Sequence, residues 1–264
     1  MKKICMYFFS GTGMTKYVVD RLSAEFERHH LSVDCFKIED ASMHHVTLSE
    51  YDALGIAYPT HALNAPKIVI NFVKSLPQSN DMNTFIVHTC SSENHRANHA
   101  SSNLLIKKLS KRGYRVFNNQ LIEMPSNFAH KDSEAEVINT LKRADKRIPH
   151  IAKSVVALKS HLANNSFSSK KVLPFLARIQ WLGAPIMGMF FHAKSGCTRC
   201  EKCVHHCPNK NIVMNKNSVR FKRRCGVCMR CIYQCPENAI DVRRPFKFIR
   251  FDSWYDSEKL KSKE

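Results

Sequence analysis

The sequence predicts an α/β chain in two parts: a doubly wound, parallel five-stranded sheet, then a small α+β domain organised around cysteine. Three observations predict it. Short apolar runs alternate with helical patterns through about the first 160 residues. A loop of glycine and hydroxyl residues, Ser10-Gly11-Thr12-Gly13-Met14-Thr15, joins the first apolar run to the first helical pattern. One cysteine spacing occurs twice near the C-terminus and takes eight of the eleven cysteines.

The elements are read in order. Ile4 to Phe9 is a continuous apolar run, as a strand buried on both faces requires. A helix follows, with Val18, Val19, Leu22 and Phe26 on one side. Leu31 to Ile38 is a second strand, and Tyr51 to Ala57 a third. Lys67 to Leu76 is a helix that Pro66 introduces and Pro77 ends. Thr84 to Thr89 is a fourth strand, Leu104 to Lys111 belongs to a helix ending at Gly113, and Tyr114 to Met124 holds a fifth strand, read as interrupted. Glu134 to Leu162 reads as a long helix that Pro149 must break or kink.

Cys197-x-x-Cys200-x-x-Cys203-x-x-x-Cys207-Pro208 returns 28 residues later as Cys225-x-x-Cys228-x-x-Cys231-x-x-x-Cys235-Pro236. This is the bacterial spacing for [4Fe-4S] clusters, in which the fourth cysteine of each run ligates the other cluster. The expected sets are Cys197, Cys200, Cys203 and Cys235 for one cluster, and Cys225, Cys228, Cys231 and Cys207 for the second. Zinc sites use paired cysteine units rather than a triple with a trailing Cys-Pro. Disulfides need an oxidising compartment, and the N-terminus shows no signal-peptide pattern, so the expected location is cytoplasmic. The repeat runs on past the cysteines, with strands expected to begin near Ile212 and Ile240 and a returning strand at Ser218 to Phe221.

The 264-residue chain carries a formal net charge of +19. Two readings of that charge stand: a solvated basic surface, or a positive face for an acidic redox partner. No nucleic-acid recognition motif accompanies it, so nucleic acid is not an expected partner. Residues 163–194 read as a linker followed by an apolar docking segment. Its stretch from Val172 to Phe191 is interrupted by Arg178, Gln180, prolines and glycines, which argues against insertion into a membrane and leaves peripheral contact open. Residues 251–264 read as a charged tail.

Residues 195 to 243 resemble the bacterial two-cluster ferredoxin domain, with all eight ligand positions and both prolines in place. The loop at Ser10 to Thr15 lacks the dinucleotide fingerprint and the P-loop lysine. It resembles the phosphate loop of the flavodoxin family, and that resemblance extends over residues 1 to about 160. The whole chain is similar to flavodoxin-like proteins fused to a two-cluster ferredoxin. The resemblance implies FMN in residues 1–162 and clusters in residues 195–250. It also implies two further flavin loops, Tyr58-Pro59-Thr60-His61-Ala62-Leu63-Asn64 and Thr89-Cys90-Ser91-Ser92, at the carboxyl ends of strands. Tyr58 or His61 would then approach the flavin ring. Read from the residues alone, Tyr58 is equally a core aromatic, His61 a loop histidine and Cys90 a small buried thiol. The implied function is an electron carrier that converts between two-electron and one-electron traffic. A flavin-dependent reductase of a small substrate and a redox or iron sensor are the alternatives. The expected partner is an acidic ferredoxin, flavodoxin or reductase, met at Lys216, Arg220, Lys222, Arg223 and Arg224.

Overall fold

The structure, a computed structural model, describes residues 1–264 except 44–45, 95, 129–130, 163–178, 217, 246–254 and 256–264. The linker and residues 172–178 of the apolar segment lie outside the described residues, as does the charged tail apart from Tyr255.

Five strands form one parallel sheet in the order β2-β1-β3-β4-β5, with β1 at Lys3–Phe8, β2 at Ser32–Lys37, β3 at Ala53–Pro59, β4 at Met82–Cys90 and β5 at Tyr114–Glu123. The chain begins in the middle of the sheet, winds outward to β2 and then reverses. The reversal opens a crevice at the carboxyl ends of β1 and β3. Strands β1, β3 and β4 are buried along nearly their whole length, which explains their unbroken apolar sequence.

Helix α1 (Met14–Arg28) lies on one face and α2 (Lys67–Ser75) on the other. Helix α3 (Asn103–Ser110) packs with α2, and α4 (Glu134–Val156) with α1. The fifth strand is continuous; its pairing with β4 slips at Thr84/Phe85, and this bulge is what the sequence registers as an interruption. Helix α4 starts at a capping box of Ser133 and Glu136 and runs through Pro149 without ending. Buried Ile148, Ile151 and Ala152 hold it on the sheet around the proline. It stops at Val156 rather than Leu162, because Leu158 turns to a φ of 51° and Lys159 N–H closes on the Ser154 carbonyl at 2.9 Å.

Residues 179–188 form helix α5. Trp181 of this helix packs on the sheet domain's core, while Met187 and the following Phe190 pack on the core of the cysteine-rich domain. Ile179, Leu182, Ile186 and Met189 make a stripe of exposed apolar side chains. Among the described residues no helix is long and apolar enough to cross a membrane.

The C-terminal domain is small. Strand β6 (Phe191–Ala193) pairs antiparallel with β9 (Ile240–Val242), and β7 (Ile212–Asn215) with β8 (Ser218–Phe221). Its core is Phe191, Met229, Ile232, Ile240 and Val242. So few apolar residues leave the cysteines among its main interior groups.

Candidate functional site

A cavity of about 460 Å³ opens at the carboxyl ends of β1, β3, β4 and β5. At one end it is lined by Ser10, Gly11, Thr12, Met14 and Thr15. Gly13, at φ 99°, turns the chain into α1 and provides no side-chain cap, so among the first-turn amides those of Met14 and Thr15 have no side-chain acceptor among the described residues. Ser10 Oγ accepts from Lys16 N–H at 3.2 Å, and Thr15 Oγ1 lies 3.0 Å from Thr89 Oγ1. Thr12 Oγ1 accepts from Asn127 Nδ2 at 3.0 Å and lies 2.7 Å from the Tyr255 hydroxyl. Hydroxyls, free amides and a helix N-terminus make a donor set suited to a phosphate dianion.

The rest of the cavity is formed by Pro59, Thr60, His61, Ala62 and Leu63 after β3, by Thr89, Cys90 and Ser91 after β4, and by Met124 to Phe128 after β5. The His61–Asn64 turn is closed by two backbone hydrogen bonds, of 2.8 and 3.0 Å, with Ala62 and Leu63 both at positive φ. A strained, rigid lip of this kind suits a ring-binding edge. Burial pushes the Cys90 thiol up to about 12, so it stays a neutral, soft wall of the cavity.

Four residues read from sequence as flavin contacts do not line this cavity. Tyr58 belongs to β3, is fully buried and stacks on His88 with centroids 5.6 Å apart; alternation along the strand turns it into the core. Asn64 is buried, and its Oδ1 accepts from Ala65 N–H, which fixes the turn. Ser92 accepts from Asn98 Nδ2 through its carbonyl. Gly13 faces a second cleft, between the domains. Asn98, Ser126, Asn127, Phe128 and Tyr255 were not identified from sequence. The carboxyl-end rule applied to the fifth strand would have pointed to residues 124 to 128; Tyr255 carries no local signal.

The eight repeated cysteines stand around two separate cavities. Cys197, Cys200, Cys203 and Cys235 line one, and Cys207, Cys225, Cys228 and Cys231 line the other. Each set takes its fourth member from the other run. The backbone repeats too. Arg199 and Glu201 in the first loop, and Val227 and Met229 in the second, have positive φ, as do Lys210 and Asn238 beyond each Cys-Pro. Val227 is β-branched, so its φ of 49° is costly and must be held by its surroundings. This winding turns amides toward sulfur: Asn211 N–H donates to Cys207 Sγ and Ala239 N–H to Cys235 Sγ, both at 3.2 Å. The helical turns Lys202–His205 and Arg230–Tyr233 end before the Cys-Pro elements.

Burial pushes the Cys203 thiol up to about 11 and Cys225 to about 12, and Cys231 well above its usual range. Metal-free, these groups are neutral thiols; iron displaces their protons. Among the described residues no group of three His, Cys, Asp or Glu converges tightly enough for a single metal ion. Four cysteines around a cavity suit a cluster whose irons each take one thiolate.

The second cysteine loop lies directly on the Ser10–Thr15 loop. A Cβ at Gly11 would stand 2.1 Å from the Cys228 carbonyl oxygen. Arg230 donates through Nη2 and Nε to the Ser10 carbonyl, at 2.6 and 3.2 Å, and through Nη1 to the His206 carbonyl at 3.1 Å. It pairs with Glu39 at 2.6 Å, with side-chain exposures of 12% and 9%. Gly188 of α5 closes on the same loop, where an added Cβ would meet Cys225 Cβ at 2.0 Å. The basic residues between the cysteine runs are divided. Lys222 and Arg224 line the interdomain cleft, Lys216 and Arg220 do not, and Arg223 donates to Met189 Sδ at 3.0 Å.

Comparisons with known proteins match both halves. A family model described as Flavodoxin domain matches residues 5–136, and one described as 4Fe-4S dicluster domain matches residues 189–236. No curated protein matches the chain. Among solved structures, a Streptococcus pneumonia flavodoxin is similar at 16% identity, covering 59% of this chain and 98% of its own, with a TM-score of 0.42. Oxidised flavodoxin 1 from Bacillus cereus is similar at 20% identity, covering 56% and 99%, with a TM-score of 0.38. General stress protein 14 from Treponema denticola, solved in complex with FMN, is similar at 10% identity, covering 60% and 100%, with a TM-score of 0.40.

Proposed function

This chain belongs to the flavodoxin family and carries a 4Fe-4S dicluster domain behind its flavodoxin domain; from that premise we propose that it exchanges electrons between FMN and two [4Fe-4S] clusters within one chain. The coarse statement, an electron-transfer protein of the FMN and iron–sulfur kind, follows from the two domains. The finer path rests on one observation, the seating of the second cysteine loop against the phosphate loop, with the Cys228 carbonyl occupying the side-chain space that Gly11 leaves open.

The residues present fit both groups. Ser10, Thr12, Thr15 and the first-turn amides of α1 would hold the FMN phosphate, and the three loops from Pro59, Thr89 and Met124 would hold the ring end. Cys197, Cys200, Cys203 and Cys235 would hold one cluster, and Cys207, Cys225, Cys228 and Cys231 the other. When bound, flavin takes one or two electrons and each cluster takes one, so the pair joins two-electron to one-electron chemistry.

The protein supplies position and dryness. Arg230 ties the Ser10 carbonyl to the second cysteine loop, and Glu39 balances its charge in a site where unpaired charge is costly. Helix α5 covers the loop from outside. Thiol ligands that must stay reduced favour a reducing compartment such as the cytoplasm.

The test is an absorption spectrum of anaerobically purified protein with iron, sulfide and flavin counted. About eight iron, eight sulfide and one FMN per chain are expected. Release of FAD, or no more than about four iron after full reconstitution, would overturn the assignment.

A further inference from the structure

Building on that electron-transfer reading, we propose that the cleft between the two domains is the docking site for an acidic one-electron carrier protein. The cleft encloses about 1540 Å³ and draws its walls from both domains. Small-molecule sites usually hold roughly 300–1,000 Å³. Lys37, at the end of β2, faces Lys202, Lys210, Lys222 and Arg224 of the cysteine-rich domain. All five are exposed, and among the described residues none forms an ion pair with a carboxylate. Glu39 and Asp40 also line the cleft; Arg230 occupies Glu39, which leaves Asp40 as the one further carboxylate among the lining residues, against five cations.

A concave wall on which one sign of charge predominates focuses the field and speeds the approach of an oppositely charged partner. The cations are spread over both walls and exposed, and Arg224 Nη2 also donates to the Lys210 carbonyl at 3.0 Å. That arrangement meets a protein surface; a small polyanion is held by donors that converge on one buried point. The cleft also reaches the redox centres. Cys207 and Cys235, one from each cysteine cavity, both line it. A partner seated there stands beside both proposed clusters and borders the phosphate loop, because Ser10, Gly11 and Thr12 line both the cleft and the flavin cavity. In the transfer a cluster held by these cysteines would gain the one electron that the partner's reduced centre loses; no bond would form or break and no proton would move.

The experiment uses the fully loaded chain and, as probe, a pre-reduced acidic [4Fe-4S] ferredoxin in stopped flow. Lys202→Glu with Lys210→Glu should slow the second-order phase at low salt by about tenfold or more. Lys216→Glu with Arg220→Glu makes the same change in charge outside the cleft and should slow it by less than about twofold. Lys37→Glu with Lys222→Glu, which spans both walls, repeats the first arm should the first pair load iron poorly. Equal slowing by cleft and control pairs overturns the location. Saturable inhibition of the wild type by micromolar inorganic pyrophosphate overturns the choice of a protein over a small anion. Flavin–cluster exchange inside the chain, started by photoreduction in the same samples, reports separately on the electron-transfer reading. Its absence in the wild type sinks that reading; its presence with an unchanged second-order phase in both cleft variants sinks only the docking site.

Discussion

Arg230 stands where the phosphate loop, the second cysteine loop and Glu39 meet. Removing it would strand a carboxylate that is 9% exposed. Arg230→Met should therefore destabilise the loaded protein by about 3–5 kcal/mol. Adding Glu39→Gln should recover most of that loss, because the stranded charge rather than the lost contact dominates it. Denaturant midpoints of the four combinations measure both terms, and an unchanged midpoint for Arg230→Met would remove the clamp. Thr12 gives a second test at this scale. Its hydroxyl is held by Asn127 and Tyr255, so it arrives at the phosphate site already oriented. Thr12→Val should weaken FMN by about 1.5–3 kcal/mol, the range for a hydrogen bond to a charged acceptor. Calorimetric titration of flavin-free protein with FMN measures it; equal affinities would take Thr12 out of the site. The sequence named Thr12 but gave no sign of Asn127 and Tyr255 as its neighbours, nor of Glu39 as the partner of Arg230. Gly11 belongs to the loop expected to bind the phosphate; in the structure the space that a Cβ would take there holds the Cys228 carbonyl of the other domain.

Among the elements, α5 separates propensity from packing within ten residues. Gly183 and Gly188 both lie in it. A Cβ at Gly183 meets nothing within 4 Å, but at Gly188 it would strike Cys225 Cβ at 2.0 Å. Helix propensity alone favours alanine over glycine by roughly 0.5–1 kcal/mol at both positions. Gly183→Ala should thus stabilise slightly and leave both clusters intact. Gly188→Ala should displace the Cys225 loop and cost the cluster proposed at Cys207, Cys225, Cys228 and Cys231, with the other retained. Mössbauer or EPR spectra of the two variants decide it. Loss of both clusters, or of neither, counts against the pairing of cavities with cysteine sets. The sequence reads the apolar run as a docking segment. Which glycine touches a cysteine was not, because that depends on the rotation of the helix between two domains.

At the scale of the whole molecule, the two domains share contacts at Gly11, Arg230, Trp181 and Tyr255 rather than hanging on a linker. Electron exchange between flavin and clusters should then be first order. In stopped flow its rate should stay constant as protein concentration is varied over a decade. A rate that rises with concentration would mean that exchange occurs between chains.

The sequence by itself determined the parallel sheet, because buried strands and amphipathic helices leave a local periodicity in every segment. It also sorted the eight repeated cysteines into the two groups that line the two cavities, since three thiols spaced two residues apart stay in one loop and the fourth reaches across. Only the tertiary structure decided that the second cysteine loop sits on the phosphate loop and that Tyr58 turns into the core. Only it showed that five cations, none of them in an ion pair among the described residues, line one cleft. Each of these depends on surfaces far apart in the chain, and local patterns carry no record of how such surfaces meet.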